Sequence, residues 1–301
     1  MDQKVGENGF ADLLQKQLIN LSKCLPYELD CGCRKLELSK RTHVMGILNA
    51  TPDSFYDGGR YYTHDRAVHR IFEMETEGAD LIDIGGESTR PGSEAVDIDE
   101  EINRVVPIIE RIKNKITIPI SIDTRKSEVA EAAIVSGAHL VNDVSGLRYD
   151  AKMASVIEKY RVPVVIMHMK GLPIDMQADP QYADLTGEIY QYLEENIQIA
   201  LRNGISKEKI MIDPGIGFGK MWDDNFVLLR RLREFKSLGY PMLIGVSRKS
   251  FIGRLLNLNE EERLMGTAAA VAVSSLKGVE IVRVHDVKEM VQVVRIVDQL
   301  R

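Results

Sequence analysis

The sequence predicts a single (β/α)8 barrel of the TIM type, preceded by an N-terminal helix and hairpin. Three observations carry that expectation. Short apolar runs recur at 44–48, 81–84, 119–122, 140–144, 162–167, 210–212, 242–246 and 281–284. Helix-like stretches separate them, and several end at a glycine, the usual helix stop. Each run also closes on a polar or charged residue. Eight strand–helix units fit a barrel of about 250 residues in one domain; a doubly wound sheet is the alternative.

In chain order, residues 1–22 place Phe10, Leu14, Leu18 and Leu21 at helical spacing, an amphipathic helix for the protein's own body or a partner subunit. Residues 27–38 alternate around Gly32 and read as a hairpin that closes the bottom of the barrel. The division expected is an extension over 1–40 and a catalytic barrel over 41–301. The runs are continuously apolar rather than alternating, as strands buried on both faces are. Helices are expected at 66–77, 127–136, 183–203 and 266–276, each followed by glycine within two residues. The segments 50–62 and 87–95 are longer and carry glycines, in the manner of substrate lids at the C-terminal face of a barrel.

Composition narrows the function. A chain of 301 residues, 44% hydrophobic and 28% charged, buries a large core, and its net charge of −6 leaves no footprint for nucleic acid. No run is long enough to span a membrane. The N-terminus lacks the basic start and apolar core of a secretory signal. Cys24, Cys31 and Cys33 suit free thiols in a reducing cytoplasm, since a metal site there would need ligands that the sequence does not offer.

The chemistry of a barrel gathers at the C-terminal ends of its strands. Those ends carry Asn49, Asp83, Asp123, Asn142, His168, Asp213, Ser247 with Lys249, and Arg283 with His285. Helix caps alone would be Ser, Thr, Asp or Asn, and would not include Lys249, Arg283 and His285. Arg283 and His285 lie two apart on the last strand, so they share a face. Closure of the barrel brings Asn49 alongside. With a helix starting at Val287, that corner suits a phosphate or diphosphate, and Asn49 offers an oxygen to Mg2+. Asp123 and Asp213, with Asn142 between them, suit an N–H-rich heterocycle and stabilise positive charge that develops on it. Lys249 serves either as a donor to that ring or as a Schiff-base lysine. No P-loop, zinc-protease or nucleophile-elbow motif is present, and the glycines of GIGFG are too closely spaced for a dinucleotide fingerprint.

These residues lie in stretches that together resemble the dihydropteroate synthase family: MGILNATPDSFYDGG at 45–59, IDIGGESTRPG at 82–92, SIDTRK at 121–126 and VNDVSGL at 141–147. IMHMKG at 166–171, MIDPGIGFGK at 211–220, GVSRKSFIG at 245–253 and VRVHDV at 282–287 continue the match. The resemblance implies condensation of 6-hydroxymethyl-7,8-dihydropterin diphosphate with 4-aminobenzoate in folate synthesis, in a cytoplasmic, Mg2+-dependent, homodimeric sulfonamide target. It assigns Asp123, Asn142, Asp213 and Lys249 to the pterin ring, with Met167 and Phe218 lining its slot. Asn49, Arg283 and His285 go to the diphosphate and the metal, and Phe55, Thr89, Arg90, Pro91 and Ser250 to the aminobenzoate pocket. Asp123, Lys249, Arg283 and His285 are the expected catalytic set. Ala50 and Tyr56 stand where the family commonly has Val and Ser. The alternatives are a methyltransferase acting on methyltetrahydrofolate with a corrinoid partner, and an inactive pterin-binding paralogue.

Overall fold

The computed structural model describes residues 7–22, 26–32, 34–51, 60–89, 92–172, 174–178 and 180–301. Helix α1 (Glu7–Ser22) leads to a two-stranded antiparallel hairpin, β1 (Glu28–Asp30) and β2 (Lys35–Glu37). Eight parallel strands follow: β3 (His43–Asn49), β4 (Leu81–Gly85), β5 (Ile120–Asp123), β6 (Leu140–Asp143), β7 (Val164–Met167), β8 (Ile210–Asp213), β9 (Leu243–Ile244) and β10 (Ile281–Val284). Their order is β8-β7-β6-β5-β4-β3-β10-β9, and a parallel bridge between Ile212 and Met242 joins β8 to β9 to close the barrel. Between the strands run α2 (Arg60–Glu77), α3 (Ile98–Ile112), α4 (Ser127–Ser136), α5 (Met153–Tyr160), α6 (Leu185–Arg202), α7 (Asp224–Phe235), α8 (Ser250–Leu256) and α9 (Leu264–Leu276), with α10 (Val287–Val297) after the last.

The apolar runs are continuous because each strand is buried twice. Val44, Ile82, Ile120, Val141, Val164, Ile210, Ile244 and Val282 face outward, into the core shared with the helices. Their neighbours Met45, Leu81, Leu140, Val165, Met211, Leu243 and Ile281 face inward and form a second cluster with Leu29, Cys31, Leu36 and Leu38 of the hairpin segment. The hairpin therefore plugs the bottom of the barrel with aliphatic side chains. One pleat further along the strands, the inward positions become Asp83, Asn142, Met167, Asp213 and Arg283. A single step of two residues carries the interior from a dry floor to a polar site.

Helix α1 forms, with Leu21 of the expected apolar stripe half-buried. Leu14 and Leu18 are exposed, and the contacts to the body run from the Gln17 amide to the Tyr190 hydroxyl and from Asn20 Nδ2 to the Ser237 carbonyl. Phe10 has no described side chain. Of the three cysteines, Cys31 is buried, while Cys24 and Cys33 lie outside the described residues. Among the described residues no helix is long and apolar enough to cross a membrane.

Leu36 is buried in the plug, far from the strand ends that carry polar groups. Leu36→Ala should cost about 2–5 kcal/mol of unfolding free energy in denaturant titrations while turnover per folded molecule holds. A loss of turnover without a loss of stability would contradict the separation of floor and site.

Candidate active site

Arg283 stands on β10, inside the barrel, where water does not surround its guanidinium. It donates from Nε to Asp83 Oδ2 at 2.5 Å and from Nη2 to Asp123 Oδ2 at 2.8 Å. Asp83 Oδ2 also accepts from Asn142 Nδ2 at 3.0 Å. Strands β4, β5, β6 and β10 are thus tied across the interior by one guanidinium, two carboxylates and an amide. The second oxygens of both carboxylates, Asp83 Oδ1 and Asp123 Oδ1, are buried without a partner. Burial pushes the Asp123 carboxyl up to about 7, against the pull of Arg283 and with the repulsion of Asp83.

Asp213 closes β8 and is held by the loop that follows. Its Oδ1 accepts from the Gly215 amide at 2.7 Å. Burial lifts its carboxyl to about 6, opposed by that amide and by Lys220, Lys249 and Arg283. Gly215 has φ +72°, and a Cβ there would come within 1.9 Å of the His168 carbonyl oxygen, so only glycine lets the loop fold back on the end of β7. Beneath that loop lies Lys220, wholly buried. Its Nζ reaches His168 Nδ1 at 2.8 Å and donates to the Phe218 carbonyl at 3.0 Å. Burial drives Lys220 well below the usual lysine range and His168 well below the usual histidine range.

Lys249, the residue before α8, places its ammonium 4.0 Å from the centroid of the Phe218 ring. Gly217 makes room for it, since a Cβ there would lie 3.1 Å from Lys249 Cδ. Met167 is buried at the end of β7. At Gly245, beyond β9, an added Cβ would meet nothing within 4 Å, so the interior is open on that side.

His285 receives a specific orientation. Ser247 Oγ accepts from the His285 backbone N–H at 3.1 Å and lies 3.0 Å from its Nδ1. The one hydroxyl thus touches both the backbone and the ring of His285 and fixes how the ring is turned. Arg248, held at φ +56°, turns from the site and grips Asp286 through Nε at 3.0 Å and Nη2 at 2.5 Å. The residue before α10 therefore carries a carboxylate paired with Arg248, and it makes no side-chain capping bond to the helix.

The structure thus gathers Asp123, Asn142, Arg283 and Asp83 in one bonded group, with Asp213, Phe218 and Lys249 in a second around the loop after β8. Asn49, half-buried at the end of β3, makes no side-chain hydrogen bond among the described residues. Thr89 is half-buried and Ser250 is exposed at the start of α8. Phe55, Arg90 and Pro91, together with Tyr56, lie outside the described residues. The sequence reading passed over Lys220 and treated Asp83 as one strand end among many. The lysine that closes GIGFGK was the visible signal for the first, and the two-residue spacing from Leu81 for the second.

Residues 45–285 match the family described as pterin binding enzyme. The dihydropteroate synthase of Synechocystis sp. is 45% identical over 94% of this chain and 99% of its own. The crystal structure of dihydropteroate synthase from Clostridium difficile in the presence of pteroic acid superposes with a TM-score of 0.83 at 49% identity, covering 87% of this chain and 97% of that one. That of Xanthomonas albilineans with 4-aminobenzoic acid gives 0.86 at 44% identity over 92% and 98%.

A carboxyl raised from 3.8 to about 6 contributes stability that is fully present below pH 4 and lost as pH rises through 6. Asp213→Asn should therefore gain on the wild type by roughly 3 kcal/mol between pH 4 and 8. Parallel stability curves for the two proteins would place Asp213 in water instead.

Proposed function

The chain belongs to the dihydropteroate synthase family of pterin-binding enzymes, and from that membership we propose how its own residues divide the reaction. 6-Hydroxymethyl-7,8-dihydropterin diphosphate and 4-aminobenzoate condense to 7,8-dihydropteroate, and diphosphate is released. Neither the corrinoid methyltransferase nor the inactive paralogue is favoured by these relatives. The observation that carries the assignment is Arg283 bonded to Asp83 and Asp123 at the floor. It joins the side of the cavity suited to an anion to the side suited to a flat, N–H-rich ring.

In this reading Asp213 and Asp123 accept from the ring N–H groups, with Asn142 between them. Met167 and Phe218 line the ring's slot, and Lys249 donates to a ring acceptor from above Phe218. On the anion side, Arg283 keeps Nη1 outside both of its carboxylate bonds, and His285 stands beside it two residues along the chain. Asn49 supplies an amide oxygen for Mg2+. Among the described residues no cluster of three or more acidic, His or Cys side chains could hold a metal, so diphosphate and water would complete the shell, which suits the ion's habits. When bound, Mg2+ neutralises charge on the departing diphosphate.

The bond from the pterin methylene to the diphosphate oxygen breaks first, and its electron pair leaves with diphosphate, eased by Arg283 and His285. Asp123 stabilises the cation left on the methylene and the ring. The aniline nitrogen of aminobenzoate then supplies the pair for the new C–N bond and releases a proton. The loops after β3 and β4, with Phe55, Thr89, Arg90, Pro91 and Ser250, border aminobenzoate and exclude the water that would capture the cation. A cytoplasmic homodimer is part of the same proposal, resting on the family resemblance; sedimentation of the purified chain at the monomer mass would remove the dimer.

Incubation with both substrates and Mg2+ should yield a product of dihydropteroate mass, and its absence would sink the assignment. Asp213→Ala should abolish pterin binding in calorimetry, because ring N–H groups would be left buried and unpaired; undiminished affinity would remove Asp213 from the ring. Arg283→Lys should weaken the diphosphate ester at least about tenfold more than the free alcohol, the loss of about one charge-assisted hydrogen bond. Equal losses for the two ligands would confine Arg283 to the ring side.

A further inference from the structure

Four charged side chains that take no part in this chemistry are buried together beneath the loop after β4. Glu101 is 0% exposed, Lys126 5%, Arg125 6% and Glu87 8%. Lys126 Nζ uses its three protons on Glu87 Oε2 at 2.5 Å, Glu101 Oε2 at 2.6 Å and the Val96 carbonyl at 2.6 Å. The Val96 N–H returns to the same Glu87 oxygen at 2.9 Å. Arg125 completes the group, 2.9 Å from Glu87 Oε1 and stacked 4.3 Å from the Tyr149 ring centroid. Two acids face two bases, so the charges balance.

Buried ion clusters of this kind are a poor source of stability compared with aliphatic packing, and their best-attested use is to fix one geometry. The geometry fixed here is the base of a loop. Glu87 opens the loop and Val96 closes it, and one ammonium holds both; Ser93 Oγ adds a bond to the Ser88 carbonyl at 2.5 Å. That ammonium belongs to the residue three places after Asp123, on the turn from β5 into α4. At the strand end the fit is tight, because a Cβ on Gly86 would come within 2.9 Å of Glu101 Cγ. The loop's footing is therefore registered to the strand that carries Asp123.

We propose that Lys126 is a positioning residue for the second substrate: through Glu87, Glu101 and Val96 it sets where the flanks 87–89 and 92–96 stand relative to Asp123, and so the fit of 4-aminobenzoate. The inference rests on the reading that this loop borders aminobenzoate. It involves no contact between Lys126 and substrate.

The double variant Lys126→Met, Glu101→Gln removes one charge of each sign and keeps the Glu87–Arg125 pair. In the full chain its KM for aminobenzoate should rise at least about tenfold, with KM for the pterin diphosphate within about twofold and amide exchange over 87–96 at least about tenfold faster. Lys126→Arg, which retains the charge, should restore part of the aminobenzoate KM. Both KM values rising together, or faster exchange with an unchanged aminobenzoate KM, would overturn the proposal. If the double variant does not fold, Val96→Pro removes the N–H given to Glu87 and stiffens that flank, with Lys126 and Glu101 left in place, and the same split in KM is required of it. A wild-type chain that makes no dihydropteroate would overturn the functional reading instead, while exchange over 87–96 would still decide whether Lys126 holds the loop.

Discussion

A guanidinium held between two carboxylates in the barrel interior is the contact on which the site depends. Arg283 cannot be hydrated there as it would be on a surface, and Asp83 is wholly buried beside it. Each charge is tolerable because the other is present, and loss of one partner from such a pair costs about 3–5 kcal/mol. The same bonds orient Asn142 through Asp83 and hold Asp123 at the end of β5. The folding requirement and the placement of these buried acceptors are one arrangement. A barrel with this floor cannot lose its site geometry without also exposing an unpaired charge to a dry interior.

Much of the fold was legible because a parallel barrel strand is buried on both faces and announces itself as an uninterrupted apolar run. The run at 210–212 begins where β8 begins, and the helix expected at 127–136 coincides with α4. Polar ends of strands marked the site for the same reason, since a carboxylate after Ile-Met-Ile has few places to go. Pairings across the barrel were not legible. Arg283 and Asp83 stand 200 positions apart, and no local periodicity couples them. The ion pair of Asp286, beside the helix N-terminus that suggested an anion corner, was not legible either. Arg248, in a backbone conformation unusual for a side-chain-bearing residue, bonds that carboxylate from 38 positions away. Helix α1 shows a third limit: its leucines have helical spacing, yet Leu14 and Leu18 stand exposed and the side chains of Gln17 and Asn20 bond the body.

The pKa shifts at the floor have a common origin and a consequence for binding. Asp123 and Asp213 are both raised, the first to about 7 and the second to about 6, and burial is the largest cause in each. Lys220 is lowered by the same cause. A low-polarity interior thus suppresses charges of both signs. Asp123 Oδ1, buried and without a partner, has its acceptor capacity unspent. A heterocycle that brings paired N–H groups to these oxygens supplies the hydrogen bonds that favour the ionised form, and both carboxyls then shift back toward ordinary values. Much of the desolvation of the acceptors has already been met by folding, so binding does not have to meet it again. In the reaction proposed above, the Asp123 carboxylate lies beside the place where positive charge develops, and Arg283, bonded to its other oxygen, keeps it from turning away.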